Sequence, residues 1–184
     1  MRSRPRVVPA SLDERPTGAG MRSILIVYHS DTGGTLQMVE AAARGAADAD
    51  AAVEVGVRHA DQAGAEDLLR ADGYLFATPE NLAAISGVVK RFFDRTYYAV
   101  LDRIAGRPYA AMVCAGSDGH NAARQIERIA TGWRLQAIAE PLIVCTHAQT
   151  PEQILRAKQI GEPDRARCGE LGATLASGVG LGIF

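Results

Sequence analysis

The stretch "HSDTGGTLQ", His29 to Gln37, sets two adjacent glycines among three hydroxyl side chains, Ser30, Thr32 and Thr35. An apolar run precedes it and an alanine-rich run follows. Gly33 and Gly34 let the backbone turn N–H groups inward. A helix starting there adds unpaired N–H groups and the positive end of its dipole. Together these make an anion site, and each hydroxyl can donate to the same anion. No lysine or arginine lies within the loop, so dipoles rather than counter-charge hold the anion. That suits a dianionic monophosphate better than a triphosphate. Asp31 has to point outward for this to work. The competing reading is a tight strand-to-helix turn with a Ser or Thr cap and no ligand.

The pattern excludes several other sites. A P-loop needs a Lys after its last glycine, and a dinucleotide fingerprint needs Gly-x-Gly-x-x-Gly; neither is present. A phosphoacceptor receiver would place carboxylates after the first and third strands, where Tyr28, His29 and Thr78 stand. A cysteine phosphatase loop would end in Arg, but Cys114 is followed by Ala-Gly-Ser-Asp-Gly-His.

The elements that position this loop alternate along the chain. "SILIVY" (Ser23 to Tyr28) is apolar throughout, as in a strand covered on both faces. Leu36, Val39, Ala43 and Ala46 then recur at helical spacing. "AAVEVGV" alternates more and reads as a strand nearer an edge. "DQAGAEDLLRAD" reads as a short helix and "GYLFAT" (Gly73 to Thr78) as a third, buried strand. Val89, Phe93 and Tyr97, flanked by Val88 and Phe92, give the clearest helix, with Lys90 and Arg91 on its solvated face. "PYAAMVCAG" is a fourth strand, and Ala122, Ile126 and Ile129 mark a fourth helix. "LQAIAEPLIVCT" is a fifth strand, interrupted or ended near Pro141, which suits an edge. Cys168, Leu171 and Leu175 mark the last helix. His147 to Pro163 is polar and reads as a surface connection with a helical turn around Glu152 to Lys158.

Five βα units in succession imply an α/β three-layer sandwich with a five-stranded parallel sheet. In the flavodoxin-like order 2-1-3-4-5, three unusual loops become neighbours beyond the carboxyl ends of the strands, where such sheets bind ligands. They are Ser30 to Thr35, Thr78 to Gly87, and Ala115 to Asn121. The chain has 184 residues, which fits one domain, placed at residues 21–184. Residues 1–20 lack periodicity and read as a disordered leader, with Met21 a candidate functional start.

Composition narrows the partners. A formal net charge of −1 gives no sign of a nucleic-acid binder, and no apolar run approaches a membrane span. Three cysteines without metal-ligand spacing point to a reduced, cytoplasmic protein with no metal site. Cys114, Cys145 and Cys168 read as core thiols, and Trp133, Tyr97 and Tyr98 as packing or interface residues.

The residues resemble a known superfamily. "SDTGGT" matches the flavodoxin phosphate loop, Ser/Thr-x-Thr-Gly-x-Thr, at every defined position. "TPENLAAISGVVKRFFDRTYY" is similar to the second flavin loop and following helix of tryptophan-repressor-binding-type quinone reductases and NAD(P)H-dependent FMN reductases. "CAGSDGHNA" (Cys114 to Ala122) sits where the superfamily places its third flavin loop.

The resemblance implies that Ser30, Thr32, Gly33, Gly34 and Thr35 bind the FMN phosphate, with Asp31 contributing its backbone N–H. It implies that Thr78, Pro79, Glu80 and Asn81 border the ribityl chain and the ring edge. Ala115, Gly116, Ser117, Asp118 and Gly119 would approach the pyrimidine side, where N–H groups tune the cofactor's electronics. The second loop offers Asn81 and Leu82 where relatives often carry an aromatic residue, so His120 or a second subunit is a candidate to cover the ring.

The function so implied is an FMN-binding oxidoreductase that takes electrons from NADH or NADPH and reduces flavin, a quinone or a similar acceptor. No side chain is expected to act as a catalytic acid or base, and the protein is expected to form a homo-oligomer. The alternatives are a flavodoxin-type electron carrier without NAD(P)H activity, and a flavin-free binding module on the same fold.

Overall fold

The computed structural model describes residues 21–184. The expectation of a leader at residues 1–20 lies outside the described residues. The elements run β1 (Arg22–Tyr28), α1 (Gly34–Ala49), β2 (Val53–His59), α2 (Ala65–Arg70), β3 (Gly73–Asn81), β4 (Ala84–Ile85), α3 (Gly87–Val100), β5 (Pro108–Ala115), α4 (His120–Gly132), β6 (Gln136–Ala137), β7 (Leu142–Cys145), α5 (Pro151–Leu155) and α6 (Glu162–Leu181).

The fold is the flavodoxin-like sandwich that the alternation predicts. The main path of the sheet is β2-β1-β3-β5-β6, with β7 also paired to β5 and β4 to β3. Strands that the helices cover on both faces are apolar without interruption: all eight residues of β5 are buried, as are Ile24 to Val27 of β1. The edge strand β2 is only partly buried. One core lies between the sheet and α2, α3 and α4, where Phe76, Phe92, Phe93 and Trp133 meet. Trp133 is fully buried, its indole N–H donating to Tyr97 O at 3.1 Å, whereas Tyr98 is exposed. The other core lies beneath α1 and α6.

Three details differ from the sequence expectations. The fifth strand comes in two pieces, β6 and β7, both alongside β5, because the stretch through Glu140 and Pro141 leaves the ladder between them. The third strand runs past Thr78 to Asn81 and turns back as β4, so a region expected to be loop is a hairpin. In α1 the buried stripe is Thr35, Met38, Val39, Ala42 and Ala46, while Leu36 and Ala43 are half-buried. Its small-residue side presses on α6 instead: a Cβ on Gly172 would stand 2.0 Å from Ala42 O, and one on Gly45 2.1 Å from Gly169 O. The two helices thus approach closely, and Thr35 is buried at the start of α1.

The parallel register places the carboxyl ends of the strands at one edge. Tyr28 lies beside Ala77, Pro79 beside Cys114, and Ala115 beside Cys145. The β3–β4 hairpin thus projects beyond the end of β1 as a wall.

Candidate ligand-binding site

At that edge a cleft of about 590 Å³ opens, within the ordinary range for small-molecule sites. Its floor is the turn from β1 into α1. Gly33, with φ of 83°, occupies the N-cap in a conformation that suits glycine. Ser30 Oγ accepts the N–H of Leu36 at 3.2 Å, taking up one of the helix's first amides. The amides of Gly34 and Thr35 have no acceptor among the described residues. The Thr35 hydroxyl, on a residue 1% exposed, has no nitrogen or oxygen partner among the described residues, only the weak one offered by the Cys114 thiol. Two amides, a helix N-terminus and a weakly partnered hydroxyl therefore converge on the floor of the cleft. Groups of this kind fit the phosphate of a ligand, and burying the hydroxyl so weakly paired is costly without one.

Beneath this floor lies Cys114. A Cβ on Gly34 would stand 2.6 Å from its sulfur, so no larger residue fits at Gly34 without a shift. Burial pushes the Cys114 thiol up to about 11, with the Lys158 charge and a side-chain hydrogen bond with Thr35 acting against it; a thiol is a weak partner, so the Thr35 hydroxyl keeps most of its bonding capacity. The thiol is protonated near neutral pH and makes no nucleophile.

Asp31 lines the cleft at its rim. Its carboxylate is half-exposed and turned to the rim, 3.4 Å from His29 Nε2, and it accepts from Asn81 Nδ2 at 3.1 Å. This ties the phosphate loop to the hairpin. His29 itself packs edge-on against His59 with its Nδ1 buried and unpaired, and does not line the cleft.

The hairpin is held from below and behind. Thr78, fully buried, accepts the N–H of Ser86 at 3.0 Å and donates to Pro79 O at 2.9 Å. Asn121 Nδ2 donates to Ala83 O at 2.6 Å, and Gln125 Oε1 accepts the N–H of Ile85 at 3.0 Å. The two tip residues, Leu82 (φ 51°) and Ala83 (φ 59°), both adopt left-handed backbone. A two-residue hairpin with positive φ at both positions favours Asn-Gly, so Leu-Ala is strained there. Leu82 is fully exposed at the cleft mouth.

The third loop closes the opposite side. Gly119, at φ 81°, starts α4, and its N–H donates to Glu80 Oε1 at 3.0 Å, joining the second and third loops. Of the residues expected at the site, Ser30, Asp31, Thr32, Gly34, Thr35, Pro79, Glu80, Asn81, Ala115, Gly116 and Ser117 line the cleft. Gly33, Thr78, Asp118, Gly119 and His120 support or flank it. His120 is exposed at the first position of α4, away from the lining.

Sequence reasoning missed the fourth wall. After β7, Thr146 and Ala148 reach the cleft, and α5 presents Ile154 and Leu155. The chain then crosses the phosphate loop: the N–H of Lys158 donates to Thr32 O at 2.8 Å. Gln37 grips the same strap, donating from Nε2 to Lys158 O at 2.7 Å and accepting from Ile160 N at 3.1 Å. The expected surface connection is therefore part of the site. The signal was present in "QTPEQIL", a Thr-Pro-x-Gln capping box with Pro at the first turn, and in Ile154, Leu155 and Ile160 standing apolar in a polar stretch. Cys145 is half-buried rather than a core residue, whereas Cys114 and Cys168 are buried.

Fold and site together define a flavodoxin-like α/β protein with a cleft at the switch point of its sheet. The profile of the NADPH-dependent FMN reductase family matches residues 35–150, more than half of the chain, and the chain belongs to that family. A flavodoxin of Aquifex aeolicus (strain VF5) is 35% identical over 99 residues, covering 54% of this chain and 53% of that protein, so the match spans about half of the relative. Among solved structures, a flavodoxin from the domain Archaea superposes with a TM-score of 0.69 at 19% identity, over 85% of this chain and 98% of its own. A WrbA-like flavodoxin of Agrobacterium tumefaciens gives 0.65 at 16% identity, over 85% and 96%. These last two are likenesses of fold. No helix among the described residues is long and apolar enough to cross a membrane.

Proposed function

We propose that the chain binds FMN in this cleft and works as an oxidoreductase, taking electrons from NADH or NADPH and passing them to free flavin, a quinone or a similar acceptor. The observation that carries the reading is the buried Thr35 hydroxyl at the N-terminus of α1, which has only the weak Cys114 thiol beside it and which a bound phosphate would satisfy. Membership of the NADPH-dependent FMN reductase family supports the electron donor.

Ser30, Thr32, Gly34 and Thr35 would hold the phosphate. Pro79, Glu80, Asn81 and Leu82 would border the ribityl chain and ring edge, and Ala115, Gly116 and Ser117 the pyrimidine side. The flavin, when bound, supplies the redox chemistry. The hairpin and the strap would exclude water, and third-loop backbone N–H groups, apart from that of Gly119, which donates to Glu80, would approach the ring. The reading assigns no side chain there a role as catalytic acid or base. Three free cysteines suit a reducing, cytoplasmic setting. A homo-oligomer belongs to the same reading, since a partner subunit would cover what Leu82 leaves open at the mouth.

The likeness to the Aquifex flavodoxin favours one second reading, an electron carrier without pyridine-nucleotide turnover. One experiment separates the two. The full chain is mixed with FMN, desalted, and its visible spectrum recorded before and after anaerobic NADH or NADPH. Rapid bleaching of a retained flavin supports the reductase. Retained flavin that does not bleach supports the carrier. No bound flavin, even by equilibrium titration, sinks both and leaves the flavin-free module.

A further inference from the structure

Three charged residues line the cleft: Asp31, Glu80 and Lys158. Two carboxylates are an unfavourable lining for a dianion, and Lys158 is the cation that offsets them. Its place is built. The backbone on either side is bonded to Thr32 and Gln37, and its Cβ lies 3.2 Å from where a Cβ on Gly34 would be, so the side chain leaves the backbone directly beside the phosphate loop. The ammonium rests on the carbonyls of Gln153, Ile154 and Arg156, each at 2.7 Å, and has no carboxylate partner among the described residues. Its charge is thus opposed only by peptide dipoles, while Asp31 and Glu80 are each already engaged elsewhere. The Cys114 thiol under the loop already feels this charge. The buried Thr35 hydroxyl, with no nitrogen or oxygen partner among the described residues, is an independent sign that an anion belongs there.

We infer that Lys158, carried on the strap between β7 and α6, is the counter-charge of the anion site and makes the cleft select a phosphorylated flavin over the neutral, unphosphorylated one. The inference rests on the FMN reading and deepens it. On this inference one N–H of the ammonium would exchange an α5 carbonyl for a phosphate oxygen, which would couple ligand binding to the end of α5.

The test uses the full chain and its Lys158→Gln and Lys158→Arg variants. Dissociation constants for FMN and riboflavin are read from quenching of flavin fluorescence, at low and high NaCl. The expected result is an FMN affinity about 10- to 100-fold weaker in Lys158→Gln, about 1.4–2.8 kcal/mol. Riboflavin affinity should change by less than about threefold, Lys158→Arg should retain most of the preference, and the salt dependence of FMN binding should shrink in Lys158→Gln. Equal losses for both flavins would mean that Lys158 only braces the strap, and no loss would mean that its charge is idle; either overturns the inference. A second measurement separates this failure from that of the FMN reading: the thermal stabilisation given by inorganic phosphate over chloride. If the wild type binds neither flavin but phosphate stabilises it in a Lys158-dependent way, the FMN reading falls and the counter-charge stands. If phosphate stabilises wild type and Lys158→Gln alike, the counter-charge falls.

Discussion

Replacing Thr35 by valine separates a ligand site from a plain turn, because the two readings predict opposite signs. The substitution keeps the shape of the side chain and removes its hydroxyl. In the free protein that hydroxyl is buried with only the Cys114 thiol, a weak partner, beside it. An unsatisfied buried polar group costs about 1–3 kcal/mol, so its removal should stabilise the free protein by about that much. For a chain of this length, a gain of that size raises the melting temperature by about 2–4 °C per kcal/mol. With FMN bound the sign reverses. A hydrogen bond to a charged phosphate contributes about 1.5–3 kcal/mol, so affinity should fall about 10- to 150-fold. The assays are thermal melting without ligand and FMN titration, with Thr35→Ser as the variant that keeps the hydroxyl. A valine variant that melts lower and binds FMN as well as wild type would refute the reasoning.

Other expectations follow from the same geometry. Gly34→Ala should weaken both folding and FMN binding, because the new methyl group meets the Cys114 sulfur; Cys114→Ala should rescue part of the loss in a double-mutant melt. The pair Leu82→Asn and Ala83→Gly should raise melting temperature, since left-handed backbone costs about 1–2 kcal/mol per ordinary residue, yet should loosen FMN by removing the Leu82 side chain from the cleft mouth. Burial raises the Cys114 and Cys168 thiols to about 11 and about 12 from 9.0. Below pH 9 both folded and unfolded chains keep these protons. Above it the unfolded chain loses them first, so stability should fall from pH 9 towards 11–12, by up to about 1.4 kcal/mol per pH unit per thiol, as urea titrations at pH 8 and 10 would measure. A slope that Cys114→Ala and Cys168→Ala leave unchanged would assign it to other groups. Gly172→Ala should destabilise by about 1–3 kcal/mol in the same urea titrations, since its methyl group would strike Ala42 O.

Much of this could be read from the chain because its signals are local. "SILIVY" and "PYAAMVCAG" announce strands buried on both faces, and "SDTGGT" announces a glycine turn into a helix, all of whose residues but the N-cap Gly33 line the cleft. The hairpin at Leu82 and Ala83 was opaque for a physical reason. Its turn places ordinary residues where the backbone favours Asn-Gly, and it is held by bonds from Asn121 and Gln125, some forty residues on. Lys158 was opaque for a related one. More than a hundred residues separate it from the loop it crosses, and only the fold joins them through Gln37 and Thr32. The phase of α1 depended on α6, whose glycines set how closely the two helices meet. Local propensity carries no record of a neighbour so far along the chain.

The central claim is that the turn between β1 and α1 holds the phosphate of FMN. The most direct measurement is the phosphorus-31 resonance of FMN added to the full chain, wild type and Thr35→Val. The account predicts a bound resonance displaced from that of free FMN, at one flavin per chain, that is weakened by the substitution. A flavin phosphate that stays at its free position while the ring is bound, or no binding at all, would contradict it.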